Sequence, residues 1–218
     1  MEIVHNRALI LRTRDPDRVT QVIPKSQVIE AVETPKGTGY KVAVSWTLPN
    51  TKILQNLGFK KVPSPIEGQY NWPGLYKPFQ HQRVTAGFLT MHQRAYCLND
   101  MGTGKTMSVI WAADYLMKIG AVKKVLILSP LSTLERVWGD AIFTGFHHRK
   151  FVVLHGTAER RKKLLNTEAD FYIINHDGFP IISEQAHGKF DLIIVDEAAV
   201  LRNPSTQRFK VFRKWMDN

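Results

Sequence analysis

Two short stretches hold residue types that could do chemistry together. The first, Met101-Gly102-Thr103-Gly104-Lys105-Thr106, ends in Gly-Lys-Thr with a second glycine two positions before the last one. Glycines let backbone N–H groups approach an anion closely, and a helix N-terminus behind them favours negative charge. In such a loop the lysine reaches the β- and γ-phosphates of a nucleotide and the threonine hydroxyl ligates Mg²⁺. The general pattern places a glycine at position 99, where this chain has Asn99. The second stretch is Asp196-Glu197, two adjacent carboxylates that end the apolar run Leu192-Ile193-Ile194-Val195. There the aspartate would hold Mg²⁺ through water, and the glutamate would polarise an attacking water as general base.

These residues need a scaffold that brings both to one edge. From Tyr76 onward, short apolar runs alternate with amphipathic segments. Strands are expected at 94–99, 124–130, 151–156, 170–175 and 191–197, with helices after the glycine-rich loop (105–119, closed by Gly120), through 132–142 and through 158–165. Strands that are apolar throughout and alternate with helices indicate a parallel sheet covered on both faces. Both chemical stretches then fall at the C-terminal ends of strands, where open α/β sheets bind their ligands.

Residues 1–75 read differently. Residues 7–13 and 40–46 carry β-branched and aromatic residues with partial alternation, and Pro35-Lys36-Gly37 breaks the chain between them. A short helix follows, with Asn50 expected as its N-cap and Gly58 past its end. The proline- and glycine-rich stretch at 60–75 is the expected linker. A small α+β domain (1–75) therefore precedes the α/β domain (76–218).

Composition narrows the partners. The chain carries 30 Lys+Arg against 19 Asp+Glu, a formal charge of +11, which favours polyanions, nucleic acid first. Residues 1–75 hold ten basic and six acidic side chains and the remainder twenty and thirteen, so neither part holds all the basicity. One cysteine, Cys97, excludes an internal disulfide framework. No stretch approaches the roughly 18 apolar residues of a membrane span, and the opening residues do not form a signal peptide. A cytoplasmic setting, in a bacterial or phage-infected cell, is the expectation. His147-His148 has no third ligand within reach and is not read as a metal site, and the charged run 159–163 is read as a solvated helix face.

With these residues assembled, the chain resembles the first RecA-like motor domain of superfamily 2 helicases and translocases, Swi/Snf-type branch. That branch reads D-E-M-G-L-G-K-T where this chain has Asn99 to Thr106, so Asn99 is no departure within it. Its D-E-A-H motif is similar to Asp196-Glu197-Ala198-Ala199, with Ala199 in the histidine's place. Residues 76–89 resemble the glutamine motif, whose glutamine, here Gln82, reads the adenine edge. Residues 127–138 resemble motif Ia (A-P-L-S-L-W in outline), which places Ser129, Ser132 and Thr133 against the phosphates of the tracked strand. Residues 173–179 stand loosely where motif Ib falls and add Asn175 to those contacts. After the carboxylate pair, Asn203 and Ser205 match the branch's continuation.

The resemblance implies ATP and Mg²⁺ as cofactors. Gln82, Met101, Gly102, Thr103, Gly104, Lys105 and Thr106 would bind the nucleotide, Thr106 and Asp196 the metal, and Lys105, Asp196 and Glu197 would be the catalytic group. It implies an ATP-dependent DNA helicase or double-strand translocase, with DNA as partner. It also implies a third motif and a second RecA-like domain downstream of Asn218, so the first domain is expected to be incomplete here. In relatives the third-motif strand lies between the phosphate-loop strand and the Asp-Glu strand. An RNA helicase, a restriction-type translocase subunit and a non-hydrolysing nucleic-acid-binding module remain the alternatives.

Overall fold

Residues 7–13 and 37–45, whose buried side chains fall on every second position, form the centre of an antiparallel sheet. The computed structural model describes residues 1–35 and 37–217; Lys36, in the break expected at 35–37, and Asn218 lie outside them. The chain divides into two compact units. One holds Met1–Asn71 with Phe79–Thr103, the other Trp72–Pro78 with Gly104–Asn218.

In the first unit, β1 (Glu2–Val4), β2 (Ala8–Thr13), β3 (Gln27–Thr34) and β4 (Gly37–Ser45) lie in the order β1-β2-β4-β3, all antiparallel. Leu9 and Leu11 of β2 pair with Val44 and Val42 of β4. These four side chains face one core with Val19 of the short helix α1 (Asp17–Thr20) and Leu54 of α2 (Leu48–Asn56). Helix α2 is capped by Thr47, whose hydroxyl accepts from Asn50 N at 3.4 Å, and not by Asn50 as the sequence suggested. Pro49 explains the shift: proline is tolerated only in a helix's first turn, so the cap must precede it. Asn50 donates instead to the Ser45 carbonyl at 2.9 Å.

The stretch 60–71 is folded rather than extended. It contains α3 (Ile66–Gln69) and buries Val62, Ser64, Ile66 and Tyr70. Pro63 O accepts from the Trp46 indole at 2.9 Å, and the Ser64 and Thr90 hydroxyls meet at 2.7 Å, tying the stretch to β4's end and to α4 (Gln80–Met91).

In the second unit, α5 (Lys105–Lys118), β5 (Val125–Ser129), α6 (Asp140–Gly145), β6 (Phe151–Val153), α7 (Ala158–Leu164), β7 (Phe171–Asn175), α8 (Phe179–Ala186), β8 (Leu192–Val195) and α9 (Gln207–Asp217) follow in chain order. The four strands form a parallel sheet in the order β6-β7-β5-β8, flanked by helices. The two central strands, β5 and β7, are buried at every position, as their unbroken apolar sequences require; β6 and β8 are half-buried. On one face Leu126, Leu128, Tyr172 and Ile174 pack with Phe179 and Ile182 of α8, and Phe212 and Trp215 of α9 close over them. The Phe179 ring meets Trp215 edge-on at 5.1 Å.

Two expectations change. Residues 94–99 form no strand, and Tyr96 and Leu98 are 79% and 87% exposed. A strand is held by a neighbour's ladder, and among the described residues β8 has a strand on one side only. The helix expected over 132–142 is three pieces: a 3-10 turn (Leu131–Thr133), a π-helix (Leu134–Gly139) and α6.

Candidate active site

The glycine-rich loop turns sharply before α5. Gly102 and Gly104 have φ of 76° and 72°, the left-handed region that favours glycine, and Gly104 is the N-cap of α5. Met101 is 95% exposed. Lys105 and Thr106, in the first turn of α5, are half-buried. Helix α5 is otherwise mostly apolar and burial-driven, with Ile110, Trp111, Ala113 and Tyr115 enclosed. The Trp111 indole donates to Pro73 O at 2.6 Å. Burial pushes the Tyr115 hydroxyl up to about 12.

The loop's other end is tied to α4. The Gln82 Oε1 accepts from Phe79 N at 2.9 Å, half of a capping box, and its Nε2 makes a long 3.4 Å approach to Thr103 O. His81 Nε2 also faces Thr103 O, at 3.1 Å. The Thr103 hydroxyl donates to Asp100 O at 2.8 Å, and Asn99 Nδ2 donates to the Thr85 hydroxyl at 2.8 Å. So Asn99 holds the loop to α4 by a side-chain bond that glycine could not make.

Asp196 stands directly after β8 and is fixed from four directions. Its N–H extends the sheet ladder to Leu128 O at 2.8 Å. Its Oδ1 accepts from Glu197 N at 3.0 Å, and its Oδ2 from the Trp138 indole at 3.1 Å. Its carbonyl lies 2.9 Å from His176 Nε2; a carbonyl only accepts, so that nitrogen carries the proton. Both carboxylate oxygens are thus anchored by neutral N–H donors. Each oxygen keeps a further lone-pair direction. Glu197 follows in the left-handed region (φ 49°), which costs a non-glycine residue about 1–2 kcal/mol, and its side chain is exposed. A single 3-10 turn, Ala198–Leu201, comes next.

Near the C-terminal end of β5, Ser129 is fully buried and its hydroxyl bonds that of Thr133, which also donates to Pro130 O at 3.0 Å. Ser132 is exposed between them. At the end of β7, Asn175 is almost buried, and its Oδ1 accepts from Arg161 Nη1 at 2.8 Å. Arg161 further donates to Leu154 O and Gly156 O. This member of the basic run is therefore half-buried and joins the ends of β6 and β7, where the sequence suggested a wholly solvated face. Its fork of donors finds three fixed oxygens. His148 is also engaged: its Nε2 lies 2.9 Å from the buried Asp114, which Arg149 contacts at 2.6 Å.

Asp196, Lys105, Thr106, Ser129 and Asn175 all belong to the second unit. Trp138, His176 and Arg161 are the residues that sequence reasoning passed over. Trp138 had a signal, because a buried indole N–H needs an acceptor. The acceptor's identity had none. Among the described residues no three His, Cys, Asp or Glu side chains cluster as metal ligands.

The comparisons agree with this architecture. The chain resembles the Sulfolobus solfataricus SWI2/SNF2 ATPase core in complex with dsDNA, with TM-score 0.58 and 23% identity over 65% of this chain and 30% of that one. The Sulfolobus solfataricus SWI2/SNF2 ATPase core domain is similar at TM-score 0.50 and 24% identity, over 63% of this chain and 30% of that one. The chain thus spans about a third of the length of these solved relatives. No curated protein matches it. Among the described residues no helix is long and apolar enough to cross a membrane. The SNF2-related domain profile matches residues 81–218, from α4 through the phosphate loop and the carboxylate pair to α9, and the chain belongs to that family.

Proposed function

We propose that this chain binds Mg·ATP and serves as the first motor domain of an ATP-dependent DNA translocase or helicase. The observation that carries the reading is Asp196. It is a carboxylate at the C-terminal end of a parallel strand, its two oxygens oriented by N–H donors from the Trp138 indole and the Glu197 backbone. Such a group keeps lone pairs in fixed directions, which suits it to meet the water ligands of a metal ion.

In this reading Lys105 and the N-terminus of α5 meet the phosphates, and Thr106 and Asp196 hold the metal, Asp196 through water. Mg²⁺, when bound with the nucleotide, neutralises charge on the β- and γ-phosphate oxygens. Glu197, exposed in its left-handed turn just past the strand end, accepts the proton of the attacking water. Gln82 reads adenine; its donor and acceptor suit the base's edge. The exposed Ser132, backed by Ser129, Thr133 and Asn175, lies along a DNA phosphate backbone. The dsDNA held by the Sulfolobus solfataricus core supports DNA as partner. Residues 1–75 act as an accessory domain that adds to the grip on nucleic acid.

Titration calorimetry tests the reading. Wild-type protein should bind ATP, Lys105→Ala should lose most of that affinity, and Gln82→Ala should lose preference for ATP over GTP. Equal ATP affinity in wild type and Lys105→Ala would overturn it.

A further inference from the structure

Trp138 is 2% exposed, yet its indole N–H reaches the Asp196 Oδ2 at 3.1 Å. The two residues are 58 positions apart, so the bond joins two separate segments of the second unit. A Trp buried for packing alone would meet a carbonyl or a hydroxyl as readily. A buried indole donor that ends on a carboxylate instead makes a charge-assisted bond, roughly twice as strong as a neutral one. It sets the rotation of the carboxylate plane and so the direction of the lone pairs left for a metal's water ligands.

The backbone that presents Trp138 is unusual. Residues Leu134–Gly139 form a π-helix, a rare geometry that tends to occur at functional sites. It begins where the 3-10 turn Leu131–Thr133 ends, and that turn follows β5 directly. At the turn, the Ser129 and Thr133 hydroxyls and Pro130 O form a closed hydrogen-bond group, and Leu131 and Ser132 are exposed. One short segment therefore has an exposed polar turn at one end and the Asp196 anchor at the other. A helix turns about 100° per residue. A one-residue change of register between π and α geometry would swing the indole off the carboxylate.

We propose that Trp138 is a positioning residue that orients Asp196 for the metal and couples this orientation to occupancy of the 131–133 turn by a nucleic-acid backbone. The proposal rests on the reading of Asp196 as a metal-holding residue. His176, at the Asp196 carbonyl, fixes the backbone, and the side-chain plane is held by Glu197 N at Oδ1 and by Trp138, the one side-chain donor, at Oδ2.

The test uses the 218-residue chain and Trp138→Phe, which keeps a buried ring and removes the N–H. Nucleotide affinity is measured by calorimetry in EDTA and in Mg²⁺. Wild type should bind ADP more tightly with Mg²⁺. In Trp138→Phe the EDTA affinity should be unchanged and the Mg²⁺-dependent gain reduced about tenfold, the usual cost of losing a bond that orients a metal-holding group. A purely structural role would lower both affinities together. In parallel, the indole ¹⁵N–¹H signals of wild type are recorded with ADP in EDTA, with Mg·ADP, and with a short DNA duplex. One buried indole signal should move with Mg·ADP but not with ADP in EDTA, and should move again with the duplex. If wild type shows no Mg²⁺-dependent nucleotide binding, the functional reading itself fails. If it does, and Trp138→Phe keeps the full Mg²⁺ gain, the positioning role is overturned. Should the variant not fold, a wild-type spectrum with no Mg²⁺-responsive buried indole overturns it equally. A spectrum that responds to Mg·ADP and ignores DNA removes the coupling.

Discussion

Glu197 concentrates the tension between stability and chemistry into one residue. Its φ of 49° is a conformation in which glycine is at ease and glutamate is not. Its side chain is exposed, so little packing is lost when it is replaced. Glu197→Gly should therefore leave stability unchanged or raise it by up to about 1 kcal/mol, with the gain limited by glycine's added freedom in the unfolded chain. Urea unfolding checks this, and a loss beyond about 1 kcal/mol would show that the side chain holds the turn. Glu197→Gln keeps the shape and removes the base. Nucleotide affinity should persist while ATP hydrolysis falls by roughly 10²–10⁴-fold. That Asp196 and Glu197 end a strand was legible in the sequence. The left-handed turn at Glu197 was not, because no glycine or asparagine marks it.

At the scale of elements, the glycine-rich loop and β8 make separable predictions. A Cβ at Gly102 would meet nothing within 4 Å, so the cost of a side chain there is conformational alone. Gly102→Ala should destabilise by about 1–2 kcal/mol, and Gly102→Asn by less, since asparagine tolerates the left-handed region. Thermal unfolding of the two variants distinguishes this from a steric effect, which would rank them the other way. Asp191 sets where β8 begins. Its Oδ2 accepts from Lys124 N at 3.0 Å and from Lys123 N at 2.9 Å, just before β5. These bonds, with the lysine charges, hold its carboxyl below the usual carboxylate range. A folded-state pKa below the unfolded one contributes stability above the unfolded pKa, and that stability is lost as pH falls through the folded one. Asp191→Ala should thus cost up to about 1 kcal/mol at pH 7, given the group's exposure. The difference from wild type should close in acid, below the ordinary carboxylate range. Urea titrations at both pH values measure it.

For the whole molecule, net charge governs behaviour. With a net charge of +11 spread over both units, DNA binding should be dominated by phosphate contacts and show little sequence preference. Affinity should fall steeply between about 50 and 200 mM salt. Affinity that is flat across that range, or that follows one base sequence, would contradict this. We further expect these 218 residues to bind nucleotide but turn it over slowly. Charge on the γ-phosphate oxygens is stabilised in related NTPases by an arginine worth about 10³–10⁵, and the resemblance implies that this arginine comes from a second motor domain. Turnover of several per second by the chain alone, abolished in Glu197→Gln, would mean that it completes its own site.

What the sequence determined by itself was local. Alternating apolar runs placed β5, β7 and β8, the Gly-Lys-Thr triplet placed the start of α5, and an apolar run ended in two carboxylates. Each depends on residues within a few positions of one another, which is the range of backbone periodicity and turn chemistry. The tertiary structure decided what lies beyond that range. Residues 94–99 have strand-forming side chains but no strand, because a ladder needs a neighbour. Pro49 moved a cap to Thr47, and Arg161 turned from a charged run to hold Asn175. The Asp196 carboxylate took its second anchor from an indole 58 residues away. Contacts of that kind are set by how the chain closes on itself: the order of strands in the sheet decides which side chains meet, and no local pattern encodes that order.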